Sequence, residues 1–432
     1  MKRNSTRLEN GITVISEHAP NVHRAAVSVS IMAGSIHEPK EQAGLAHVLE
    51  HIVFRGTQKI TAEDASAIIE DLGGHINGQT MSDHTMYYGS VIREDLGRTI
   101  AFLADLITEP AFEAEHLELE KNIVEDENCR GCYGCTMQET YLDSAYPDQV
   151  LARPIIGYEE TVMSLTVESL KEFHEKFYVT ENVVVAVCAD ITHDEVVDLV
   201  KKAFANMPKG QPSTWPILEY AGGDSMLNTR SDDAGVWLGF DVTEMAEKEK
   251  RALWLFSDII GGHGHSILMD ELREKRGLVY GVSTDIATLA RRDHFRVYLN
   301  GSAANITEIC NVAIDTIRDV AQNLPAAQLA KAKRRQHVNE IMSRDGLEGR
   351  VSDMITDMSD LGYITNIEER FHNYQNLTAN EIEAAAQNML DLTPTIVISA
   401  SLRRAPKIAD LRERIRGVSA GNSLLGFFKR AS

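Results

Sequence analysis

The sequence lacks any apolar run that approaches the roughly 18 residues needed for a membrane-spanning helix. Its first residues, MKRNSTRLENGITV, include basic side chains but lack the apolar segment of a secretory signal. A hydrophobic content of 43% with 25% charged residues is typical of a soluble globular protein. We therefore expect a cytoplasmic protein without a membrane span.

Positive charge is scarce: 43 Lys and Arg residues stand against 64 Asp and Glu residues, which gives a net charge of −21. Nucleic acids bind through clustered Lys and Arg, so this balance argues against a nucleic-acid partner. It would attract a basic peptide or protein. An acidic surface can also serve only to keep a protein soluble, and both interpretations stay open at this point.

The end of the sequence, from Leu402 onward, is the exception to this acidic balance. Its basic residues are Arg403, Arg404, Lys407, Arg412, Arg414, Arg416, Lys429 and Arg430, against Asp410 and Glu413. A basic amphipathic helix there could contact a membrane or an acidic partner. Packing against the acidic body of the same protein is the interpretation that we favour.

Cysteine is also scarce, and three of the five cysteines lie together in CRGCYGC, as Cys129, Cys132 and Cys135. Without a secretory signal, reduced thiols are favoured over disulfides. The C-x-x-C-x-x-C spacing is typical of an iron–sulfur site, but a fourth cysteine followed by proline is missing. We favour inert or redox-sensitive thiols over a cluster.

The length of 432 residues predicts two or three domains. Segments with strand and helix patterns alternate up to PKGQPSTWP, whose three prolines rule out a continuing helix and indicate a linker. The alternation then restarts, and HTMYYGSVIREDLGRTIAFLADLI and DHFRVYLNGSAANITEICNVAIDTI both predict a strand, a turn and a helix. We predict two domains of one architecture, 1–210 and 223–432, joined by a linker at 211–222.

One helical segment, GLAHVLEHIVFRGT at residues 44–57, carries two histidines and a glutamate in an otherwise apolar pattern. His47 and His51 are four residues apart, one turn above the other, and Glu50 lies on the same flank. Two imidazoles at this spacing can bind one Zn²⁺, and the glutamate can then take a proton from the metal's water. The order H-x-x-E-H is a zinc-peptidase motif, and a pair of surface histidines is the alternative.

A zinc site of this kind needs a third protein ligand, and the helix in ELEKNIVEDENCRG offers one. The residues that share one face of this helix are Leu117, Glu120, Val124 and Glu127. Carboxylates on an apolar face rarely lack a partner. Glu127 is thus a candidate metal ligand and Glu120 a carboxylate that supports it. The alternative is an acidic helix with two of its charges at the edge of a face.

Together these residues, H-V-L-E-H followed by an E-x6-E segment that ends at Glu127, resemble a known family of zinc peptidases. It is the family of pitrilysin, insulin-degrading enzyme and mitochondrial processing peptidase. The resemblance implies that His47, His51 and Glu127 bind one Zn²⁺ per chain. It also implies that Glu50 is the catalytic base and that Glu120 supports the ligands.

Two further segments resemble the same family. GGHINGQTMSDHTMYY resembles the strand whose edge binds peptide, which implies that Asn77 and Gly78 bind substrate. LREKRGLVYGV resembles a second-domain motif, which implies that Arg273 and Tyr280 act in catalysis from the other half of a chamber. Gly78, where Ala is common, and Asp83, where Glu is usual, depart from the family pattern, so the peptide could bind differently.

The resemblance spans about residues 7–400 and implies an α+β fold. Each domain would be an α/β roll, a mixed and largely antiparallel sheet with helices packed on it, and the chain would form half of a clam-like chamber. A second copy would complete the chamber as a homodimer, with a heterodimer as the alternative.

The implied activity is that of a zinc-dependent endopeptidase acting on peptides or short unfolded polypeptides, with a preference for basic ones. The alternatives are a non-catalytic subunit that completes a heterodimeric peptidase and an iron–sulfur protein built on CRGCYGC.

Overall fold

The structure, a computed structural model, describes residues 3–128, 133–401 and 403–417. The described strands are β1 Arg3–Arg7, β2 Thr13–His18, β3 Arg24–Ile31, β4 His75–Thr80, β5 Thr85–Ile92, β6 Val183–Ala189, β7 Asp224–Asn228, β8 Asp233–Asp241, β9 Val279–Leu289, β10 Arg292–Ser302 and β11 Pro394–Ala400.

The described α-helices are α1 Leu45–Val53, α2 Ala62–Leu72, α3 Leu96–Thr108, α4 Ala114–Glu127, α5 Tyr133–Ala145, α6 Glu159–Ser164, α7 Val167–Phe177, α8 His193–Ala203, α9 Glu247–Ile260, α10 Ile267–Met269, α11 Ile306–Gln322, α12 Ala326–Met342, α13 Leu347–Leu361, α14 Ile367–Gln375, α15 Ala379–Leu390 and α16 Ile408–Arg416. Single 3₁₀ turns lie at Ser35–His37, Lys40–Gln42, Arg93–Asp95, Val150–Ala152, Thr180–Asn182 and Ala303–Asn305, and a π-helical turn at Asp270–Glu274 follows α10.

The chain divides into two compact units. The first comprises Met1–Glu219, Thr288–Arg291 and Gln336–Phe371, and the second comprises Tyr220–Ala287, Arg292–Arg335 and His372–Ser432. Each unit combines one β-sheet with α-helices. The predicted α+β fold is therefore confirmed, whereas the predicted boundaries at 1–210, 211–222 and 223–432 stay a prediction.

The first unit contains a six-stranded sheet in the order β1-β2-β6-β3-β5-β4. β2 and β6 are parallel, and the pairs β1–β2, β3–β6, β3–β5 and β4–β5 are antiparallel. The central strands β3 and β6 are apolar or small at nearly every position, because both faces of the sheet are covered. β4 lies at an edge of the sheet, which leaves one side of its backbone unpaired within the sheet.

Two layers of helices cover this sheet. Residues of α1, α3, α7 and α8 form the main core on one face. On the other face, α13 packs Val351, Met354 and Ile355 against apolar side chains of β2, β3 and β6. Ion pairs also hold this second layer, since the Arg3 side chain of β1, which is 5% exposed, contacts Asp353 and Asp357 of α13.

The second unit contains a five-stranded sheet in the order β7-β11-β8-β10-β9. β8 is antiparallel to both β10 and β11, and β7 is parallel to β11. Its core is formed with helices that include α9, α11 and α15. As in the first unit, a mixed and mainly antiparallel sheet is covered by amphipathic helices.

The described part of the basic tail packs on the second unit through α16. Leu411 and Ile415 are buried there, Arg412 donates to Asp224, and Arg414 pairs with Asp315. This agrees with the favoured interpretation for those residues, while Lys429 and Arg430 lie outside the described residues. None of the described helices is long and apolar enough to cross a membrane.

Candidate active site

The histidine-bearing segment forms α1, and its start is fixed by an upstream carboxylate. Gly44 precedes the helix with φ of +95°, a conformation that favours glycine. The buried carboxylate of Glu38 accepts hydrogen bonds from the backbone N–H groups of Gly44 and Ala46, at 2.9 and 2.7 Å. Those amides are among the four that an α-helix leaves unpaired at its N-terminus. Burial raises the pKa of Glu38 to about 8, and the two backbone hydrogen bonds offset part of that shift.

α1 divides its side chains between the core and a cavity. Leu45, Val48, Leu49 and Ile52 are fully buried in the first unit's core. His47, Glu50 and His51 instead line a cavity of about 530 Å³. The other residues that line this cavity are Asn77, Gly78, Gln79, Thr80, Glu127, Ile155 and Ile156. The predicted flank of α1 thus faces a space large enough for part of a peptide.

The structure brings the three predicted metal ligands together. One potential donor atom from each of His47, His51 and Glu127 lies within 4.8 Å of the other two. Glu127 Oε2 is 3.9 Å from His47 Nε2 and 3.6 Å from His51 Nε2. Two imidazole nitrogens and a carboxylate oxygen are a donor set that Zn²⁺ takes in catalytic sites. Burial lowers the pKa of His47 to about 4, so this ring is neutral and its lone pair can bind a metal.

Glu120 orients one of these ligands. Its Oε2 accepts a 2.7 Å hydrogen bond from His51 Nδ1, so Nδ1 carries the proton and Nε2 is free to bind a metal. The guanidinium of Arg55 contacts the other oxygen of Glu120. Burial alone would raise the pKa of Glu120, but the hydrogen bonds from His51 and Arg55 outweigh it and lower that pKa. Glu120 therefore stays charged behind the ligand.

Arg55 is a residue of the site that the sequence analysis missed. It lies two residues after the end of α1, in the FRGT segment, and the contact with Glu120 joins α1 to α4. A basic residue one turn beyond His51 was the available signal. Its partner is 65 positions away in the sequence, however, and the pairing could not be deduced from spacing.

Glu50 is a buried carboxylate at the wall of the cavity, with 7% of its surface exposed. The hydroxyl of Thr80 donates to its Oε2 at 2.8 Å. Burial raises the pKa of Glu50, and the hydrogen bonds from Thr80 offset part of that shift. A carboxylate with a raised pKa is suited to accept a proton near neutral pH.

Asn77 and Gly78, the predicted substrate-binding residues, lie on the edge strand β4 and line the same cavity. The Asn77 side chain accepts a 2.9 Å hydrogen bond from the N–H of Gly78. Asp83, which departs from the family pattern, is buried and bonds to His84. It also contacts Ser359.

Arg273 and Tyr280 belong to the second unit. Arg273 is exposed in the π-helical turn Asp270–Glu274, and Tyr280 is 59% exposed on β9. Their roles in catalysis stay predictions. Cys129 and Cys132 and the side chain of Cys135 lie outside the described residues, so the structure does not test the interpretations of CRGCYGC.

Comparisons with known proteins agree on one family. Residues 13–157 match the family model described as insulinase (peptidase family M16), and residues 164–336 match the model described as the peptidase M16 inactive domain. The first match contains His47, Glu50, His51, Glu120 and Glu127.

Similar sequences extend over most of the chain. An "uncharacterized zinc protease" of Rickettsia felis is 26% identical over 398 residues, which cover 91% of this chain and 97% of that protein. One from Mycobacterium leprae is 28% identical and covers 89% of each. A protease from Helicobacter pylori has a similar solved structure, with a TM-score of 0.84 at 21% identity, covering 92% of this chain and 99% of that one.

Proposed function

Because the chain belongs to the M16 peptidase family, we propose that it is a zinc-dependent endopeptidase that hydrolyses peptides or short unfolded polypeptides. The observation that carries this proposal is the convergence of His47, His51 and Glu127 at one cavity, with Glu50 beside them. The "zinc protease" names of the relatives support it.

The residues present fit zinc. The donor set has the required chemistry, and the hydrogen bond to Glu120 frees His51 Nε2 for the metal. His47, His51 and Glu127 would hold the ion. When bound, zinc supplies a Lewis acid that polarises a substrate carbonyl and lowers the pKa of water to about 7.

The side chains around the ligands would perform the proton transfers. Glu50 would accept a proton from the attacking water and pass it to the leaving amine. β4 would hold the peptide, since an edge strand offers main-chain hydrogen bonds that make little demand on sequence. The hydrogen bond that the N–H of Gly78 donates to Asn77 Oδ1 would have to open wherever the peptide needs that N–H.

We propose that two copies of the chain form the working enzyme. The family resemblance supports Arg273 and Tyr280 as groups that reach the substrate from the other half of a chamber, where they could stabilise the developing oxyanion. The net charge of −21 supports a preference for basic peptides. A peptide series of graded charge, assayed at low and high salt, tests that preference, and rates independent of peptide charge would contradict it.

Zinc content and peptide cleavage, measured on the same samples, test the proposed activity. We expect about one zinc per chain and zinc-dependent cleavage in the unaltered protein. His51→Ala should lose both zinc and cleavage, whereas Glu50→Gln should keep zinc and lose cleavage. His23→Ala and Glu63→Gln alter exposed residues and serve as matched controls. A folded protein that binds no zinc and cleaves no peptide would contradict the proposal.

The second candidate is a non-catalytic subunit that completes a heterodimeric peptidase. The match of residues 164–336 to a family model described as an inactive domain is the reason for considering this second candidate. Under this alternative the isolated chain would be inactive and would raise the activity of a separate peptidase subunit on mixing.

A further inference from the structure

The carboxylate of Glu50 is enclosed by a neighbouring strand as well as by its own helix. We propose that Gly78 and Thr80 of β4 are positioning residues that hold Glu50 where it accepts the proton. This inference rests on the proposed function. It assigns to β4 a task distinct from binding the peptide, because both residues act on Glu50 from the inner face of the strand.

Thr80 supplies the hydrogen bond. It is 7% exposed, and its hydroxyl donates to Glu50 Oε2 at 2.8 Å. A hydrogen bond to a charged group in a buried setting is stronger than one at the surface, and removing the hydroxyl leaves this buried carboxylate with only the backbone interaction of Thr80. The bond therefore favours one orientation of the carboxylate plane over the others.

Gly78 supplies the space. A Cβ built on Gly78 would lie 2.6 Å from Glu50 Oε1, 2.7 Å from its Cγ and 2.9 Å from its Cδ. All three distances are shorter than real Cβ contacts, so any larger residue must displace the Glu50 side chain or the strand. Gly78 does not have a positive φ, so its backbone conformation does not require glycine. In this chain, the Ala that is common at this position in the family would therefore require Glu50 or the strand to shift.

The two contacts act from one side of the strand. Alternate residues of a β-strand face the same way, so Gly78 and Thr80 both point inward while Asn77 and Gln79 are exposed. Oε2 is tied to Thr80, and Oε1 rests against Gly78. With both oxygens restrained, the carboxylate has little freedom to turn away from the histidines. A misplacement of about 1 Å in a catalytic group can cost about a hundredfold in rate.

The test separates kcat from KM and zinc content. Thr80→Val removes the hydroxyl at nearly constant volume and should lower kcat at least about tenfold, and Thr80→Ser should restore most of the loss. Gly78→Ala should lower kcat about tenfold rather than abolish it, because a small shift of Glu50 would accommodate the Ala that is common at this position in the family. In all three variants the zinc content should stay at one per chain and KM should change by less than about threefold.

Matched controls come from β5, the partner of β4. Thr85 lies opposite Thr80 and donates its hydroxyl to the Ala33 carbonyl, so Thr85→Val removes a buried hydroxyl that does not contact Glu50. Gly89 lies opposite Ile76, and a Cβ there would meet the Thr99 methyl group and the Ile76 Cγ1 methylene. Thr85→Val and Gly89→Ala should retain kcat within about threefold, even where they lower stability.

A crystal structure of metal-free Gly78→Ala gives a readout that does not depend on activity. We expect the Glu50 carboxylate to move by at least about 0.5 Å relative to the unaltered protein, since its contacts with a Cβ would otherwise be too short.

If Thr80→Val and Gly78→Ala keep full kcat while Glu50→Gln is inactive, the positioning role is overturned and the proposed function still stands. A loss seen only in KM would mark the strand as a peptide contact and also overturn it. An unaltered protein that binds zinc but cleaves nothing would overturn the proposed function, and an unmoved Glu50 in Gly78→Ala would then overturn the positioning as well.

Discussion

The tautomer of His51 depends on two contacts behind it. Glu120 accepts from Nδ1, and Arg55 neutralises the second oxygen of Glu120. Without this support, either nitrogen of His51 could carry the proton, and the ring could turn. The position of one proton in the metal site is therefore fixed by a carboxylate on α4 and an arginine just beyond α1.

We predict that Glu120→Gln lowers zinc affinity by about 10- to 100-fold, because the substitution removes the charge that increases the basicity of His51. Arg55→Met should lower it about tenfold, since Glu120 would become easier to protonate. Competition with a chromophoric chelator at neutral pH measures both effects. Arg98→Met is the matched control, since Arg98 forms an exposed ion pair with Asp71. Unchanged affinity in Glu120→Gln would contradict the role given to this contact.

Helix α7 is anchored to the C-terminal part of α3 by a buried histidine. His174 Nε2 donates to the carbonyl of Ile107 at 2.7 Å, and its ring stacks on Tyr178. Burial lowers the pKa of His174 from 6.5 to about 4. The folded state therefore holds this ring neutral at a pH where the unfolded chain is already protonated.

We predict that His174 makes the protein less stable in mild acid. Because its pKa is lower in the folded state, its contribution is fully present above pH 6.5 and is lost as the pH falls toward 4. The slope is about 1 kcal/mol per pH unit. His174→Phe should reduce the slope of unfolding free energy against pH in that range. Urea unfolding of the metal-free protein measures it. An identical slope in His174→Phe would contradict the shift.

Some features of the fold follow from local sequence pattern, whereas others depend on contacts between segments that are distant in the sequence. The helix of His47 and His51 follows from local periodicity, and the shared face of Glu120 and Glu127 follows from helical spacing. The packing of α13 on β3 and β6 does not follow from local pattern. The helix and the strands lie more than about 150 residues apart, and nothing in either segment identifies the other as its partner. The contacts of Glu50 with Gly78 and Thr80 likewise depend on how closely α1 approaches β4.

A buried ion network holds distant parts of the chain together within the first unit. Arg3 contacts Glu17 at 3.1 Å and Asp353 at 2.5 Å, and its side chain is 5% exposed. Glu17 is fully buried and also lies 3.4 Å from Arg350. Removing one member of such a network leaves its partners with less opposite charge in a medium of low dielectric constant.

We predict that Arg3→Met lowers the free energy of unfolding by about 3 kcal/mol, because Glu17 and Asp353 lose their shared cation. Urea unfolding measures the effect. Arg24→Met is the matched control, since Arg24 pairs with Glu348 where both side chains are about half exposed, and it should cost less than about 1 kcal/mol. Equal effects of the two substitutions would show that burial does not distinguish these ion pairs.

The zinc motif with Glu50 and the second-domain motif with Arg273 lead to a prediction about the assembled dimer. If Glu50 of one copy works with Arg273 of the other, a mixed dimer of Glu50→Gln and Arg273→Ala chains contains one intact site and one doubly altered site. Random pairing makes about half of the dimers mixed, so the mixture should recover about a quarter of the original activity. The assay uses a peptide substrate after the two inactive proteins have exchanged subunits. Mixing Glu50→Gln with His51→Ala is the matched control, because both groups are needed on the same chain, and this mixture should stay inactive. Verified mixed dimers of the first pair that cleave no peptide would contradict action across two copies.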